Sequence, residues 1–300
     1  MDKTFKSGYV GIVGRPNVGK STILNKLVGQ KIAIISPKPQ TTRNKILGIM
    51  HGAGFQAVFL DTPGFHKPRT KLGENMVKSV NETLGDVELL MLVVEPTEEV
   101  SPAEEAIIEK LGDVPCILVI NKTDTVKKDE LLSVIMKYSK LYNFCDIVPL
   151  SARTRENMDE LVSVIKKHLP QGPAYYPEDM VTDQQEKEIV AELIREKMLK
   201  ILRDEIPHGT AVEIVKMKYS QTDKGDMFNI SANIFCEKNS HKGIIIGKGG
   251  KTLKEIGTAA RIDCEKMLDA KVFLELWVKV KEDWRNSNNL MKELGIIEKE

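Results

Sequence analysis

The first half of the chain alternates short apolar runs with amphipathic stretches. Residues 9–13, 55–60, 87–94, 115–120 and 147–150 are continuous or nearly continuous apolar runs, as strands buried on both faces of a sheet would be. Between them, 22–28, 70–84, a segment opening at Ser101-Pro102, 128–141 and 158–168 carry helical spacing or helix-start signals. Residues 45–51 are a further strand signal, joined to 55–60 through Gly52-Ala53-Gly54, a hairpin-type connection. Residues 32–43 lose the periodicity and read as a loop. The alternation predicts an α/β domain whose mostly parallel sheet is covered on both faces.

The rhythm breaks at 169–177, where Pro170, Gly172, Pro173 and Pro177 read as a domain linker. Beyond it the pattern predicts a helix over 184–203, strands at 211–219 and 227–236 around a polar turn at 221–226, and a short helix at 240–245. Gly247-Lys248-Gly249-Gly250, a helix over 251–268 and a strand at 271–280 follow. The polar residues 286–300 are expected to be loosely held. The expected division is a domain over 1–169, a linker over 170–182 and a smaller α+β domain over 183–300.

Three hundred residues, 41% hydrophobic and 29% charged, suit two globular domains. The net charge is only +1, from 44 basic and 43 acidic residues, so a nucleic-acid partner requires a local patch. Cys116, Cys145, Cys236 and Cys264 form no Cys-x-x-Cys pair and are expected to fill space in a reducing compartment. The longest apolar run, 89–94, is too short to span a bilayer, and the first strand follows the N-terminus without room for a signal peptide. The expected location is cytoplasmic.

The chemistry concentrates at strand ends. Gly14-Arg15-Pro16-Asn17-Val18-Gly19-Lys20-Ser21 fits a phosphate-binding loop, lying between a predicted strand and the helix that Thr22 continues. Its glycines allow a tight turn that gathers backbone N–H groups. Lys20 meets the β/γ-phosphates, and Ser21 offers a hydroxyl to Mg²⁺. Asp61-Thr62-Pro63-Gly64 ends another strand. There Asp61 can hold a Mg²⁺-bound water and the Gly64 N–H can approach a γ-phosphate. Thr42 is the candidate for a second hydroxyl on Mg²⁺, with neighbouring Thr41 its competitor. Asn121-Lys122-Thr123-Asp124 selects the base. The Asp124 carboxylate can accept from guanine N1–H and its 2-amino group, which adenine does not offer. Lys122 can lie over the base, and in Ser151-Ala152-Arg153 the Ala152 N–H can meet guanine O6. In the second domain the Gly-x-x-Gly loop is surrounded by Lys238, Lys242, Lys248, Lys251, Lys254 and Arg261, with Ile244, Ile245, Ile246, Leu253 and Ile256 lining the adjoining groove.

Together these stretches resemble the GTPase G domain, and in detail the bacterial Era GTPases. Gly-x-x-Gly between two helices, in helix-first order, resembles a type II KH domain. The resemblance runs from about Tyr9 to Trp284. It implies Mg²⁺-dependent GTP hydrolysis to GDP, with switch segments near 38–43 and 65–84. Lys20, Thr42 and Gly64 are the implied catalytic set. The nucleotide would lie along Gly14–Thr22, Asp61–Phe65, Asn121, Lys122, Asp124 and 151–153. RNA would meet Lys242, Ile246, Gly247, Lys248, Gly249, Gly250, Lys251 and Lys254. Implied partners are 16S ribosomal RNA near its 3′ end and the 30S subunit during assembly. Peripheral membrane association has precedent in the family. Phe65 stands where Ras-like relatives have a water-orienting Gln, so slow intrinsic turnover is expected, and Asn17 is a candidate ligand for K⁺. The alternative is a nucleotide-regulated RNA-binding protein or membrane-associated cell-cycle switch in which hydrolysis is incidental. In the scheme the motifs suggest, GTP orders the switch segments and favours RNA uptake, and hydrolysis releases it.

Overall fold

The structure, a computed structural model, describes residues 5–38, 41–64, 70–97, 99–222 and 225–293. Contacts divide it into two compact units. The first is built on a six-stranded sheet in the order β2-β3-β1-β4-β5-β6. Its strands are β1 (Lys6–Val13), β2 (Ile46–Gly52), β3 (Phe55–Asp61), β4 (Leu89–Val94), β5 (Cys116–Ile120) and β6 (Asp146–Pro149). All neighbours are parallel except the β2–β3 hairpin. Helices α1 (Lys20–Val28) and α5 (Met158–His168) cover one face. Helices α2 (Lys71–Gly85), α3 (Pro102–Ile108) and α4 (Lys128–Leu141) cover the other. β4 shows why its sequence is an unbroken apolar run: Leu89, Met91 and Val93 enter one core, and Leu90, Leu92 and Val94 the other.

The proline-rich stretch expected to link the domains is bonded along this unit. Pro170 O accepts from Ser7 N and Pro173 O from Ser7 Oγ, at 3.1 and 2.6 Å. Tyr175 stacks on Tyr9 at 5.3 Å and donates its N–H to Gln56. Val181 O accepts from Ile49 N, covering part of the β2 edge. Prolines lack N–H donors but keep their carbonyls, which suits a strap fastened mainly through acceptors.

The second unit contains α6 (Glu186–Ile201), β7 (Ala211–Thr222), β8 (Gly225–Cys236), α7 (Asn239–Ile246), α8 (Lys251–Leu268), β9 (Lys271–Val280) and α9 (Asn288–Glu293). Its sheet runs β7-β8-β9, antiparallel then parallel. α6, α7 and α8 pack on one sheet face around Leu193, Ile194, Met198, Ile245, Ile256, Ala260 and Cys264. By its contacts this unit also takes in Ile34–Thr41 and Thr70–Leu72. Glu196 Oε1 accepts from Ile35 N at 3.0 Å, and buried Arg195 donates to the Thr41 carbonyl.

Two sequence expectations need correction here. The strands flanking the polar turn run on to Thr222 and from Gly225, because polar side chains do not prevent ladder pairing. Residues 286–293 are not loose. Met291 is fully buried in α9, just beyond fully buried Trp284, whose Nε1 donates to Gly209 O at 3.0 Å. Isolated anchors in a polar stretch leave no periodic signal. Residues 294–300 lie outside the described residues. The four cysteines are free thiols, three of them buried. Among the described residues no helix is long and apolar enough to cross a membrane.

Candidate nucleotide site and nucleic-acid cleft

β1 delivers the chain into the glycine loop, and α1 leaves it at Lys20. Gly14 and Gly19 have φ of +150° and +102°. A Cβ on Gly14 would stand 2.3 Å from Val93 O, and one on Gly19 2.2 Å from Asn121 Nδ2, so both positions require glycine. Between them, exposed Asn17 takes a left-handed φ of +67°, and Val18 is fully buried. Lys20 is buried, its Nζ donating to Gly14 O and Arg15 O at 3.1 and 2.9 Å. Burial pushes its pKa down to about 8, against the attraction of Asp61. Arg15 turns away from the loop to Glu104, at 2.8 Å. Half-buried Thr22 continues α1.

Three oxygen-bearing side chains meet beside Lys20. Ser21 Oγ donates to Asp61 Oδ2 at 2.7 Å and lies 3.0 Å from Thr42 Oγ1. Asp61 is fully buried, and its Oδ1 has no hydrogen-bond partner. Burial pushes the Asp61 pKa up to about 6, against the pull of Lys20 and Ser21. An orphaned carboxylate oxygen next to two hydroxyls fits a hard divalent cation, which takes oxygen ligands. Ser21, Thr42 and Asp61 are therefore the residues that could hold Mg²⁺. Thr41 points elsewhere, donating to Lys38 O at 2.6 Å. Thr62 Oγ1 donates to Ile12 O at 2.8 Å, and Pro63 is buried. A Cβ on Gly64 would stand 2.7 Å from the Pro16 backbone, so this segment lies directly on the phosphate loop. Phe65 lies outside the described residues.

The stretches expected to read the base are tied to the same loop. Asn121 Nδ2 donates to Val18 O at 2.8 Å, while its Oδ1 accepts from Ala152 N at 3.0 Å. The Ala152 N–H assigned to guanine O6 is thus already engaged within the protein. Lys122, at φ +66°, donates to Asn17 O at 2.9 Å and pairs with Glu95. Asp124 accepts from Ser151 Oγ and pairs with Arg153, both at 2.5 Å. The Ser151 bond, aided by the Arg153 charge, holds the Asp124 carboxyl below its usual range, so it stays an acceptor. No sequence motif marks Glu95 and Glu104 as the partners of Lys122 and Arg15. Glu104 follows Ser101 by three, the capping-box spacing the structure realises, and Glu95 directly follows the β4 run.

In the second unit, Gly247-Lys248-Gly249-Gly250 joins α7 to α8. Gly247 has φ +73°, and a Cβ there would strike Thr252 Oγ1 at 2.2 Å. Gly249 and Gly250, at φ +61° and +77°, face open space. Lys248, Lys251 and Lys254 are exposed, whereas Lys242 and Ile246 are half-buried. Beside the loop runs a cleft of about 370 Å³ lined by Gly250, Leu253, Lys254, Gly257, Thr258, Arg261, Leu274 and Leu276. The expected groove lining is corrected in part. Ile245 and Ile256 are fully buried in the core, and the edge strand β9 supplies Leu274 and Leu276 instead. Helical spacing marks an apolar face but not which of its positions sits at the rim.

Comparison with known proteins agrees with both sites. Residues 9–122 match the 50S ribosome-binding GTPase family and residues 205–285 the KH domain family. GTPase Era of Clostridium novyi (strain NT) is 52% identical over 296 residues, covering 98% of this chain and all of the relative. GTPase Era of Alkaliphilus oremlandii (strain OhILAs) is 53% identical over 294 residues, 97% of this chain and 99% of the relative. Two solved structures are each 40% identical with a TM-score of 0.92, covering 97% of this chain and 99% of theirs. One is a variant of Aquifex aeolicus Era bound to GDP and AlF4⁻; the other is Era with MgGDPNP and nucleotides 1506–1542 of 16S ribosomal RNA. With a P-loop GTPase domain followed by a KH domain, the chain belongs to the Era family of GTPases.

Proposed function

We propose that this chain binds GTP with Mg²⁺ in its first unit, hydrolyses it slowly, and grips the 3′ region of 16S ribosomal RNA in its KH cleft during assembly of the 30S subunit, in the cytoplasm. The observation that carries the nucleotide half is Asp124, kept ionised by Ser151 and Arg153, with Ala152 next to Ser151 held through Asn121 to the phosphate loop. The RNA half is supported by the open backbone at Gly249-Gly250 beside the exposed Lys248, Lys251 and Lys254. Lys20 neutralises the phosphates, the Gly64 N–H meets the γ-phosphate, and Asp124 reads the guanine edge. Ser21, Thr42 and, through a water, Asp61 would hold Mg²⁺, which would supply charge neutralisation at the phosphates.

Asn17, exposed in the phosphate loop, is the proposed ligand for K⁺. K⁺ is expected to raise turnover above that in Na⁺, and Asn17→Ala to abolish the difference. The central experiment crosslinks the full chain to ribosomal RNA with a non-hydrolysable GTP analogue. Crosslinks at the 3′ end of 16S RNA are expected, and crosslinks scattered over the subunit would refute the assignment.

A further inference from the structure

β9 is the edge strand of the second sheet, and its two faces differ in an informative way. One face carries Val272, Leu274, Leu276 and Val278 against the helices, with Leu274 and Leu276 reaching the cleft. The opposite face carries Phe273 and Trp277, 54% and 60% exposed. They are four residues apart along the strand, about 13 Å. Pairing registers place Lys218 and Asn229 beside Phe273, Lys216 and Ser231 beside Glu275, and Glu213 and Asn233 beside Trp277. Lys271 and Lys279 continue the same face along β9.

The face thus holds four lysines against Glu213 and Glu275. Glu213 accepts from Asn233 at 3.0 Å, and none of the four lysines is in an ion pair among the described residues. Two exposed rings among solvated ammonium groups, amides and hydroxyls make a stacking platform with counter-charges for phosphates. A protein-binding face would instead be depleted in lysine.

We propose that this outer sheet face is a second RNA site, holding single-stranded nucleotides that continue past the Gly-x-x-Gly cleft around the β9 edge. The proposal rests on the RNA-binding reading of the cleft. A KH cleft clamps about four nucleotides, so any longer single strand must continue beyond it. β9 lines the cleft with one face and presents Phe273 and Trp277 on the other, which gives the strand a continuous path.

Of the chain's two tryptophans, Trp284 is fully buried, so quencher-accessible fluorescence reports Trp277. The test titrates the full chain with single-stranded RNAs from the 16S 3′ end, one of about five nucleotides and one of about twenty that contains it. The long RNA is expected to shield Trp277 from acrylamide and the short one to leave it accessible. Phe273→Ala with Trp277→Ala should weaken the long RNA at least about tenfold and leave the short one within about twofold. Lys216→Gln with Lys218→Gln should lower the salt slope of long-RNA binding by about 1.4. If both RNAs bind but Trp277 stays accessible and the aromatic variant binds like the parent, this site is refuted and the cleft reading stands. Binding of neither RNA overturns both. Shielding that rises with protein concentration in the absence of RNA assigns the face to a second copy of the chain instead.

Discussion

Asn121 offers the sharpest test of how the nucleotide site is held together. It is 3% exposed, and its amide bridges Val18 O at 2.8 Å and Ala152 N at 3.0 Å, both on buried residues. Asn121→Ala leaves one buried acceptor and one buried donor without their partner. Each costs about 1–3 kcal/mol, so the first unit should lose about 2–5 kcal/mol, the lower end if water enters the gap. For a unit of this size that corresponds to about 5–15 °C in Tm. Asn121→Asp keeps an acceptor for Ala152 but sets a carboxylate against the Val18 carbonyl. Its folded-state pKa must therefore rise above the ordinary carboxylate range. A raised carboxylate pKa contributes stability below the unfolded pKa that is lost as pH rises through the folded one. Asn121→Asp should thus match Asn121→Ala or fall below it near pH 8 and recover towards pH 4 to 5. Urea unfolding in the absence of nucleotide, followed by circular dichroism across that range, measures both. GDP affinity, read with a fluorescent analogue, should fall at least about tenfold in each variant, because the phosphate and base ends lose their tie. A midpoint for Asn121→Ala within about 0.5 kcal/mol of the parent would refute the bridge, as would an Asn121→Asp variant with no added pH dependence.

Other substitutions probe the remaining chemistry. Asp124→Asn should lower GTP affinity by a factor on the order of 10⁴ and favour xanthosine triphosphate, measured by competition binding; unchanged base preference removes Asp124 from base recognition. Asp61, with a pKa near 6, resists ionisation, so its contribution to stability falls as pH rises from about 4 to 6. In Mg²⁺- and nucleotide-free protein, Asp61→Asn should therefore gain about 1–3 kcal/mol at pH 8 and nothing at pH 4, while losing Mg²⁺-dependent nucleotide binding; equal destabilisation at both pH values would contradict this. Lys248→Gln with Lys251→Gln should weaken short single-stranded RNA at all sequences and lower its salt slope by about 1.4, read by fluorescence anisotropy in a salt series.

The sequence by itself determined the local elements and the order of the chemistry-bearing turns. Continuous apolar runs marked strands covered on both sides, and Gly14 and Gly19 marked a tight turn of the backbone. Only the tertiary structure decided which groups meet. It sent the Thr42 rather than the Thr41 hydroxyl to Ser21, engaged the Ala152 N–H with Asn121, and gave Arg15 and Lys122 carboxylate partners in Glu104 and Glu95. It also buried Ile245 and Ile256, brought Leu274 and Leu276 to the cleft, and seated Met291 in a segment with no periodic signal. The physical reason is range. Periodicity and turn chemistry act over a few residues and leave their mark on consecutive letters. Hydrogen bonds such as Asn121 to Val18 join residues about a hundred positions apart, and nothing in the local pattern encodes which partner the folded chain will bring.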